Sequence, residues 1–375
     1  MPDPAPAVLQ VLPALVSGGV ERGTVEIAQA LVAAGFRAVV ASAGGPLAAE
    51  VEAAGGRHVT LPLDRKSPAA LTANAVALRH LAQGEGVRII HARSRFPAWS
   101  ALIAARRAGA HFVTTYHGTY NEGFPGKRLY NSVMARGDRV IAISEHIAAV
   151  VRERYGVGPD RLRVIPRGVD PVRFDPDAVS PDRVEALRRA WDLPADRSVI
   201  LLPGRLTRWK GQRVLLDALG RLPEPRPVAV LLGDAQGRDE YVAELRRVAA
   251  TLGDAVRIPG PASDVPAALA LADVVIHAST DAEAFGRTVI EAQAMRRPVI
   301  ASDLGGPRET VADGVTGWRV RPGDPGALAT ALSRVLAMPA AERRTVGAAA
   351  RAAVLARYTT AAMQAATLDV YRELP

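Results

Sequence analysis

Short β-branched runs alternate with longer amphipathic segments along nearly the whole chain, and this alternation constrains the fold more than any other feature. It predicts parallel sheets with helices on both faces. The strand runs are almost continuously apolar, as strands buried on both sides should be. The predicted strands lie in VLQVLPAL, RAVVASA, HVTLPL, VRIIHA, HFVTTYH, RVIAIS, SVILLPGRL, VAVLLGD, AVRIPG, DVVIHAS and PVIASD.

The alternation is interrupted once, by a proline- and charge-rich passage that follows RLRVIPRGVD. We therefore predict a linker at residues 171–197, between an N-terminal domain of residues 1–170 and a C-terminal domain of residues 198–355. Residues 356–375 form a helical pattern with no strand and are expected to pack back on the first domain. The predicted fold class is α/β, with two doubly wound Rossmann-like domains facing a cleft.

The chain has no cysteine, which excludes disulfides, thiolate nucleophiles and thiolate metal sites. Its N-terminus lacks the basic region and the long apolar run of a signal peptide, and no stretch reaches the ~20 apolar residues that span a bilayer. We expect a cytoplasmic protein. Peripheral binding at the inner face of the cytoplasmic membrane is compatible with that expectation.

Positive charge is concentrated in the first half of the chain. The net charge is +9, and residues 1–190 carry 24 basic residues against 17 acidic ones. This imbalance favours an anionic partner, either a phosphorylated substrate or an anionic membrane surface, although an ordinary solvated surface also explains it. Nucleic acid is disfavoured, because only 5% of residues are aromatic and the basic residues lack interleaved stacking side chains. Seven of these basic residues lie close together in the sequence, around the fourth predicted strand with the helix after it and after the Gly-Phe-Pro-Gly loop: Arg88, Arg93, Arg95, Arg106, Arg107, Lys127 and Arg128.

The usual signatures of three large enzyme classes are absent. No G-x-G-x-x-G follows the first strand, and neither G-x-x-x-x-G-K-[ST] nor H-E-x-x-H occurs, so dehydrogenase, P-loop and zincin functions lose their usual support. The one D-x-D string, Asp175-Pro176-Asp177, lies in the predicted linker and is interpreted as structural. No dense carboxylate cluster ends a strand, so we expect no catalytic divalent cation.

A glycine pair follows the first predicted strand. Ser17, Gly18 and Gly19 stand between VLQVLPAL and the helical segment VERGTVEIAQAL. Glycines here let the backbone approach a ligand, and the helix N-terminus behind them favours an anion. A tight turn that needs a positive φ accounts for the same residues, and both interpretations stay open.

Two cations follow the first strand of the second domain. Arg205 and Lys210 lie five residues apart in GRLTRWKG, at the carboxyl end of the strand, where open α/β sheets bind ligands. Such a pair suits a diphosphate leaving group whose charge grows in the transition state. Lys210 is one of only three lysines among 47 basic residues, which favours a position where the compact charge of a lysine is needed. Ordinary surface charges on a loop are the alternative.

The strongest local signal is EAFGRTVIEA, which follows the strand DVVIHAS. Phe285 and Gly286 are predicted to open a helix whose first free amides, at Arg287 and Thr288, face a ligand. A helix start at the carboxyl edge of a sheet would form one wall of a binding site.

Two carboxylates accompany this helix. Glu283 precedes it, and Glu291 lies inside it on an apolar stretch. A carboxylate in such a place needs hydrogen bonds, which sugar hydroxyls would supply. The structural alternatives are an N-terminal helix charge for Glu283 and a buried ion pair for Glu291.

His117 ends the fifth predicted strand, before the loop Gly118-Thr119. A histidine at the carboxyl end of a strand facing a cleft can donate a hydrogen bond or change its charge near neutral pH. A histidine satisfied by the loop backbone is the alternative.

Together, and not singly, these features resemble the retaining family-4 glycosyltransferases of the GT-B fold. The resemblance covers nearly the whole chain. Its motifs are the glycine loop at 17–19, His117, Ala142-Ile143-Ser144, GRLTRWKG at 204–211 and E-x7-E at 283–291. Two longer passages, YHGTYNEGFPGKRLYNSVMARGDRVIAISEHI and EAFGRTVIEAQAMRRPVIASDLGGPRETV, look like lipopolysaccharide-core and related cell-envelope sugar transferases of α-proteobacteria.

The resemblance implies a site for the phosphates of a nucleotide-sugar donor. Gly18 and Gly19 would approach these phosphates, and Arg205 and Lys210 would hold the diphosphate. The helix start at Phe285, Gly286, Arg287 and Thr288 would meet the same donor. Arg287 departs from the family, which usually has an apolar residue there, so the donor preference would differ if its side chain lies in the cleft.

The resemblance also implies contacts for the sugar and the nucleoside. Glu283 and His117 would lie beside the transferred sugar, and Glu291 would bind the ribose. The main chain of residues 257–260, which include Arg257 and Pro259, would meet the base. Ser144 is a further candidate near the cleft. The catalytic residues implied are His117, Glu283, Arg205 and Lys210.

The implied reaction transfers a hexose-type sugar with retention, and the leaving diphosphate helps to deprotonate the acceptor hydroxyl. The implied acceptor is a lipopolysaccharide-core or other cell-envelope glycan or glycolipid, and no cofactor is expected because the donor is itself a substrate. The same fold serves nucleotide-sugar epimerases, which need no acceptor, and phosphorylases, which usually carry a pyridoxal lysine in a much longer chain. A non-catalytic protein that binds a nucleotide-sugar or a membrane surface would show donor binding without turnover.

Overall fold

The computed structural model describes residues 6–16 and 18–375. The chain divides into two compact units. The first runs to Arg167 and also includes Thr360–Pro375, and the second is Gly168–Thr359. Each unit contains a parallel sheet covered by helices, which confirms the predicted α/β class with two Rossmann-like parts.

The first unit is built on a seven-stranded sheet in which all strand pairs are parallel. Its strands are β1 (Ala7–Val11), β2 (Arg37–Ser42), β3 (Arg57–Thr60), β4 (Val87–Ala92), β5 (His111–Tyr116), β6 (Arg139–Ala142) and β7 (Leu162–Val164). They follow the order β3-β2-β1-β4-β5-β6-β7. Leu9 pairs with Val39 of β2 on one side and with Ile90 of β4 on the other. The winding therefore changes direction between β1 and β4, the point at which open α/β sheets bind ligands.

Helices cover this sheet, and their ends carry recognisable caps. They are α1 (Gly19–Ala33), α2 (Ala48–Ala53), α3 (Pro68–Gly84), α4 (Arg95–Ala108), α5 (Lys127–Asn131) and α6 (Glu145–Tyr155). The Ser67 hydroxyl accepts a hydrogen bond from the Ala70 amide at 3.1 Å and so caps α3, while α4 and α6 stop at Gly109 and Gly156 in the left-handed conformation.

The second unit repeats this plan with a six-stranded parallel sheet. Its strands are β8 (Val199–Pro203), β9 (Val228–Leu232), β10 (Val256–Gly260), β11 (Val274–His277), β12 (Val299–Ser302) and β13 (Trp318–Val320). The order is β10-β9-β8-β11-β12-β13. Leu201 pairs with Val230 of β9 and with Val275 of β11. The switch point of this sheet therefore lies between β8 and β11.

Eight helices of the described chain belong to the second unit. They are α7 (Pro181–Ala190), α8 (Gln212–Leu219), α9 (Asp239–Ala250), α10 (Val265–Leu271), α11 (Arg287–Ala294), α12 (Pro307–Thr310), α13 (Pro325–Ala337) and α14 (Ala340–Arg357). Asp264 caps α10 and Asp324 caps α13, each by accepting backbone amide hydrogen bonds. Within residues 6–16 and 18–375, no helix combines the length and apolarity needed to cross a membrane.

The last helix, α15 (Thr360–Arg372), belongs to the first unit. Met363, Leu368 and Tyr371 on this helix are buried in the core that also contains Ile27 of α1. The Tyr371 hydroxyl lies 2.6 Å from Nδ1 of His91. The C-terminal segment thus completes the core under α1, and it does so from Thr360 onward, since the residues just before it lie in α14 of the second unit.

Residues 171–197, the predicted linker, belong to the second unit and contain α7. Trp191 is only 9% exposed, so this passage contributes to a core. Asp175 accepts the Asp177 amide at 3.2 Å, and Asp177 pairs with Arg296 at 2.9 Å. The D-x-D string is therefore engaged in local structure.

Candidate active site

A compact ion-pair cluster lies at the switch point of the second sheet. After β8, the chain turns through Gly204 and a 3-10 helix at Arg208–Lys210. Lys210 Nζ donates to both carboxylate oxygens of Glu283, at 2.8 and 2.6 Å, and also lies 4.5 Å from the centre of the Trp209 ring. The two charged side chains are only 10% and 18% exposed. The structure thus joins two of the predicted site residues directly.

Two further polar residues complete the surroundings of Glu283. His277, the last residue of β11, places Nε2 at 2.7 Å from Glu283 Oε2, and the Ser279 hydroxyl donates to the same oxygen at 3.3 Å. Burial alone would raise the pKa of the Glu283 carboxyl, but the charge of Lys210 and the hydrogen bond from His277 outweigh burial and hold the pKa well below its usual range. Glu283 is therefore a carboxylate, which can only accept hydrogen bonds.

Glycines bring the loop that carries Glu283 close to the neighbouring chain segments. Gly211 has φ +74°, and a Cβ added there would lie 1.9 Å from the carbonyl oxygen of Ala278. Gly305 has φ +66°, and its Cβ would lie 2.4 Å from the Glu283 carbonyl oxygen, which accepts the Gly306 amide at 2.8 Å. Side chains at these two positions would push the loop out of place.

Arg205 differs from Lys210 in its surroundings. It is exposed, and within the described parts of the chain its guanidinium has no hydrogen-bond or ion-pair partner. Its carbonyl oxygen accepts a hydrogen bond from Gln212 Nε2 at 2.9 Å, which fixes the backbone at the start of the turn. Arg205 is thus a cation whose charge is available to an anionic ligand.

The residues predicted to contact the nucleoside base, Arg257 and Pro259, lie in β10 at one edge of the second sheet. The Arg257 guanidinium donates to the Trp191 and Asp192 carbonyl oxygens at 3.0 and 2.6 Å, so this side chain is used in structure. Pro259 is exposed near the end of β10. The contact of this main chain with the base of a donor stays a prediction.

Helix α11 begins where the sequence placed a helix start. Gly286 has φ +87° and the helix starts at Arg287, so the amides of Arg287 and Thr288 belong to its first turn, where the helix itself offers no acceptor. Phe285 is buried, and its ring centre lies 5.6 Å from that of Tyr358. Arg287 lies 3.7 Å from Glu291 in an i,i+4 ion pair. Both alternatives offered for Glu291, an ion pair and a ligand contact, remain compatible with this arrangement.

In the first unit, Gly18 and Gly19 lie at the start of α1. Gly18 has φ +134° and α1 begins at Gly19, which is the tight turn that was one interpretation of these glycines. Ser17 lies outside the described residues. The approach of donor phosphates to this turn stays a prediction.

His117 follows β5, one strand away from the switch point of the first sheet. Its Nδ1 accepts a hydrogen bond from the Arg167 guanidinium, while its Nε2 is shielded from solvent and has no hydrogen-bond partner in the parts of the chain that the structure describes. Burial lowers the pKa of His117 well below its usual value, and the charges of Arg167 and Arg93 lower it further. His117 is therefore a neutral imidazole.

Arg93, which the sequence places among the basic residues that favour an anionic partner, is not a surface residue. This side chain is only 2% exposed and donates to Gln10 Oε1 at 2.8 Å. Arg106 and Arg107 on α4 are exposed, as expected. Arg93 is therefore part of the buried polar network of the first unit and adds nothing to the surface available to a partner.

A mixed apolar and basic patch surrounds α5. Phe124 is 59% exposed and Leu129 is 63% exposed, which is unusual for large apolar side chains. Lys127 Nζ lies 4.5 Å from the centre of the Phe124 ring, and the Arg128 guanidinium donates to the Arg154 carbonyl oxygen. The sequence indicated the two basic residues of this patch but not the apolar ones.

Ser144, a further candidate, caps α6. Its hydroxyl is buried and accepts the Ile147 amide at 3.0 Å. The residues that sequence reasoning missed are His277, Ser279 and Arg167. His277 was recognisable only as a polar residue at the end of an apolar strand, and nothing local distinguished Arg167 in RVIPRGVD. Within the described ranges, no group of three or more His, Asp or Glu side chains is arranged to hold a metal ion.

The comparisons with known proteins agree with this architecture. Residues 17–173 match the family Glycosyltransferase Family 4, and residues 183–353 match Glycosyl transferases group 1. A glycosyltransferase from Rickettsia africae ESF-5 has a crystal structure that covers 99% of this chain and 98% of its own, with a TM-score of 0.91 and 35% identity. Anabaena Alr3699/HepE in complex with UDP and glucose covers 98% of this chain and 99% of its own, with a TM-score of 0.87 and 26% identity.

A relative found by sequence is also a glycosyltransferase. The D-inositol 3-phosphate glycosyltransferase of Xylanimonas cellulosilytica is 35% identical over 309 residues, which are 76% of this chain and 72% of that protein. The fold and these matches define an enzyme of the GT-B glycosyltransferase class. The chain belongs to the glycosyltransferases whose N-terminal part is Glycosyltransferase Family 4 and whose C-terminal part is Glycosyl transferases group 1.

Proposed function

We propose that this enzyme transfers a hexose-type sugar from a UDP-sugar, bound by the second unit, to an acceptor bound by the first, with retention of configuration. The observation that carries the proposal is the cluster of Lys210, Glu283 and His277 at the switch point of the second sheet. It joins a cation for phosphate and a carboxylate for sugar hydroxyls at the place where open α/β sheets bind ligands.

Arg205 and Lys210 are assigned to the donor diphosphate. Arg205 is exposed and unpaired among the described residues, so its full charge is available to a phosphate. The ion pair holds Lys210 in place, and the three N–H donors of its ammonium group are shared between Glu283 and the ligand. The similarity to Anabaena HepE, which was solved with UDP and glucose, supports uridine as the base. Glu291 is assigned to the ribose, and the main chain at Arg257 and Pro259 to the base.

The chemistry breaks the bond between the anomeric carbon and the diphosphate oxygen and forms a bond from the same carbon to the acceptor oxygen, on the same face. The leaving diphosphate takes the hydroxyl proton. Positive charge from Arg205 and Lys210 stabilises the charge that develops on the leaving group, which requires neither a cofactor nor a metal ion. Glu283, held ionised, accepts hydrogen bonds from the hydroxyls of the transferred sugar.

For the acceptor we propose a lipopolysaccharide-core or other cell-envelope glycan carried on a lipid, met at the inner face of the cytoplasmic membrane. The patch of Phe124, Lys127, Arg128 and Leu129 supports this proposal, because exposed apolar side chains beside basic ones suit an anionic lipid surface.

A second acceptor class has its own support. Relatives named D-inositol 3-phosphate glycosyltransferase suggest a small phosphorylated polyol, which would also satisfy the basic first half of the chain. The two classes differ in the surface that they need. A lipid-linked glycan requires the patch around α5, whereas a soluble phosphate does not.

Donor binding is tested by a thermal-shift panel of UDP-, GDP- and ADP-sugars. A bound donor at 100 times its Kd stabilises the fold by roughly 2.7 kcal/mol, which is readily detected. We expect UDP-sugars to raise Tm in the wild type and Arg205→Met to abolish that rise. Stabilisation by none of the three donors, under conditions in which the protein unfolds cooperatively, would refute the proposal.

A further inference from the structure

The hydrogen bond between Arg167 and His117 settles which nitrogen of the imidazole carries the proton. A guanidinium has only donors and stays protonated in proteins. Because Arg167 donates to Nδ1, that nitrogen must present its lone pair. The proton of a neutral ring then resides on Nε2, the nitrogen that has no hydrogen-bond partner in the described parts of the chain.

We infer that Arg167 is a positioning residue that fixes His117 as a neutral Nε2–H donor, so that His117 donates a hydrogen bond to bound substrate and takes no proton from it. Neither nitrogen is free to act as a base, since Nδ1 is occupied by Arg167 and Nε2 already carries hydrogen. The inference rests on the proposed function only where it says that the hydrogen bond goes to substrate.

The burial of this pair supports a fixed geometry. Arg167 is only 5% exposed, and its guanidinium lies against α1, where a Cβ added at Gly23 would come within 2.6 Å of Arg167 Nη1. The sulfur of Met363 on α15 lies 3.9 Å from the same nitrogen. The guanidinium is thus enclosed between two helices and the imidazole, and it cannot swing away from His117 without disturbing the core.

The surroundings also keep the ring neutral. Burial is the largest effect on the pKa of His117, and neighbouring positive charge adds to it. The charged and titratable groups that act on the His117 ring are Arg167, Arg93 and His91. Arg93 in turn interacts with Tyr371, Glu26 and Glu21. Two arginines next to the ring oppose a third positive charge, so His117 should not titrate in the range where an ordinary histidine does.

The unpartnered Nε2–H of His117 bears on the transfer reaction. An unpartnered, buried N–H group is unfavourable and persists where a ligand satisfies it. A hydroxyl of the transferred sugar is an acceptor of the right chemistry. The proton of the acceptor hydroxyl must go to another group, in agreement with the assignment of that step to the leaving diphosphate.

Nitrogen NMR of protein labelled with ¹⁵N-histidine tests the inference without any substrate. We expect the wild-type His117 ring, assigned by its loss in His117→Gln, to show an unprotonated Nδ1 and a protonated Nε2, unchanged between about pH 8 and pH 5.5, a range that spans the ordinary histidine pKa of about 6.5. A ring that carries its proton on Nδ1, or one that becomes doubly protonated in this range, would overturn the inference. This outcome needs no variant of Arg167 to fold.

Variants at Arg167 add a kinetic readout. Arg167→Lys keeps a cationic donor, and Arg167→Met removes it. In Arg167→Met the tautomer of His117 is no longer fixed, so we expect kcat to fall at neutral pH and to recover in part below about pH 6.5, where protonation restores hydrogen to Nε2. The wild-type and Arg167→Lys profiles should stay level over the same range. A profile for folded Arg167→Met that superimposes on the wild type, with the same tautomer, would reduce Arg167 to a packing role.

The role of His117 toward substrate is judged separately. If the tautomer is as stated but His117→Gln and His117→Ala both keep wild-type kcat and KM, then the placement of His117 beside the transferred sugar fails while the positioning by Arg167 stands. If His117→Gln keeps at least tenfold more activity than His117→Ala, a donor at this position serves the reaction.

Discussion

Replacing Lys210 by methionine removes a cation from beside a buried carboxylate and leaves the aliphatic part of the side chain. Lys210 and Glu283 are only 10% and 18% exposed, so the carboxylate left behind is poorly hydrated. Removing one partner of a buried pair destabilises a protein by about 3–5 kcal/mol. At about 2–4 °C of Tm per kcal/mol for a unit of this size, we expect the transition of the second unit to fall by about 6–20 °C. The sequence presents Lys210 only as a candidate for binding a diphosphate, whereas the buried ion pair with Glu283 also gives it a part in folding.

The matched control is Arg213→Met, which removes one partner of an exposed i,i+4 pair with Asp217 in the same unit. Such a pair contributes about 0–1 kcal/mol, so the control should lower Tm by a few degrees at most. Differential scanning calorimetry of both variants compares them directly. The double variant Lys210→Met/Glu283→Gln removes both charges, and it should recover most of the loss.

The pH dependence gives the same experiment a second readout. The pKa of Glu283 is depressed in the folded wild type, so the pair contributes stability above the unfolded carboxyl pKa of about 4.3, and this contribution disappears only at more acidic pH. In Lys210→Met burial should raise the pKa of Glu283, so the deficit should be largest near neutral pH and shrink as Glu283 takes up a proton. A Lys210→Met variant as stable as Arg213→Met at neutral pH would refute the reasoning.

Three further predictions concern the loop, the metal requirement and the surface. Gly211→Ala should unfold at a lower temperature and lose activity, because its Cβ would lie 1.9 Å from the Ala278 carbonyl oxygen. Gly237→Ala, with φ +76° and open space around it, should lose only the ~1–2 kcal/mol of stability that backbone strain costs. Equal Tm values for the two variants would contradict the steric argument. Sugar transfer should survive EDTA, since side chains supply the positive charge at the diphosphate, and an inactivation rescued by Mg²⁺ or Mn²⁺ would contradict this. With a lipid-linked acceptor, KM should rise with salt, because exposed charges are screened over about 8–10 Å, and the Lys127→Ser/Arg128→Ser double variant should mimic high salt. An acceptor KM indifferent to both changes would favour the small soluble acceptor.

The sequence predicted the architecture well because burial on both faces leaves a strong apolar signature. Each of the eleven runs named from the sequence overlaps a strand of the structure. The two strands not named among those runs, β7 and β13, are three residues long and lie at sheet edges, where an apolar run has little length in which to show itself. The predicted linker contains α7, whose polar exposed surface resembles a connection when only composition is considered.

The sequence named candidate residues for the site but not the contacts between them. Lys210 and Glu283 are separated by 73 positions, and no local pattern indicates that they pair. The contact between Arg167 and His117, 50 positions apart, is equally invisible. Motifs show which residue types stand at strand ends, while pairings between charged side chains depend on the packing of strands that are distant in sequence.

Acceptor-dependent turnover of UDP-glucose, followed by proton NMR, tests the central claim most directly. Wild-type enzyme is incubated with UDP-glucose alone, with a lipid-linked core glycan, and with an inositol phosphate. We predict that UDP is released in step with a product that keeps the α-anomeric configuration, only when one of the acceptors is present, and at least tenfold more slowly in Arg205→Met, which lacks the exposed cation assigned to the diphosphate. Conversion of UDP-glucose to another UDP-sugar without acceptor, or binding of UDP-glucose with no turnover under any of the three conditions, would contradict the account.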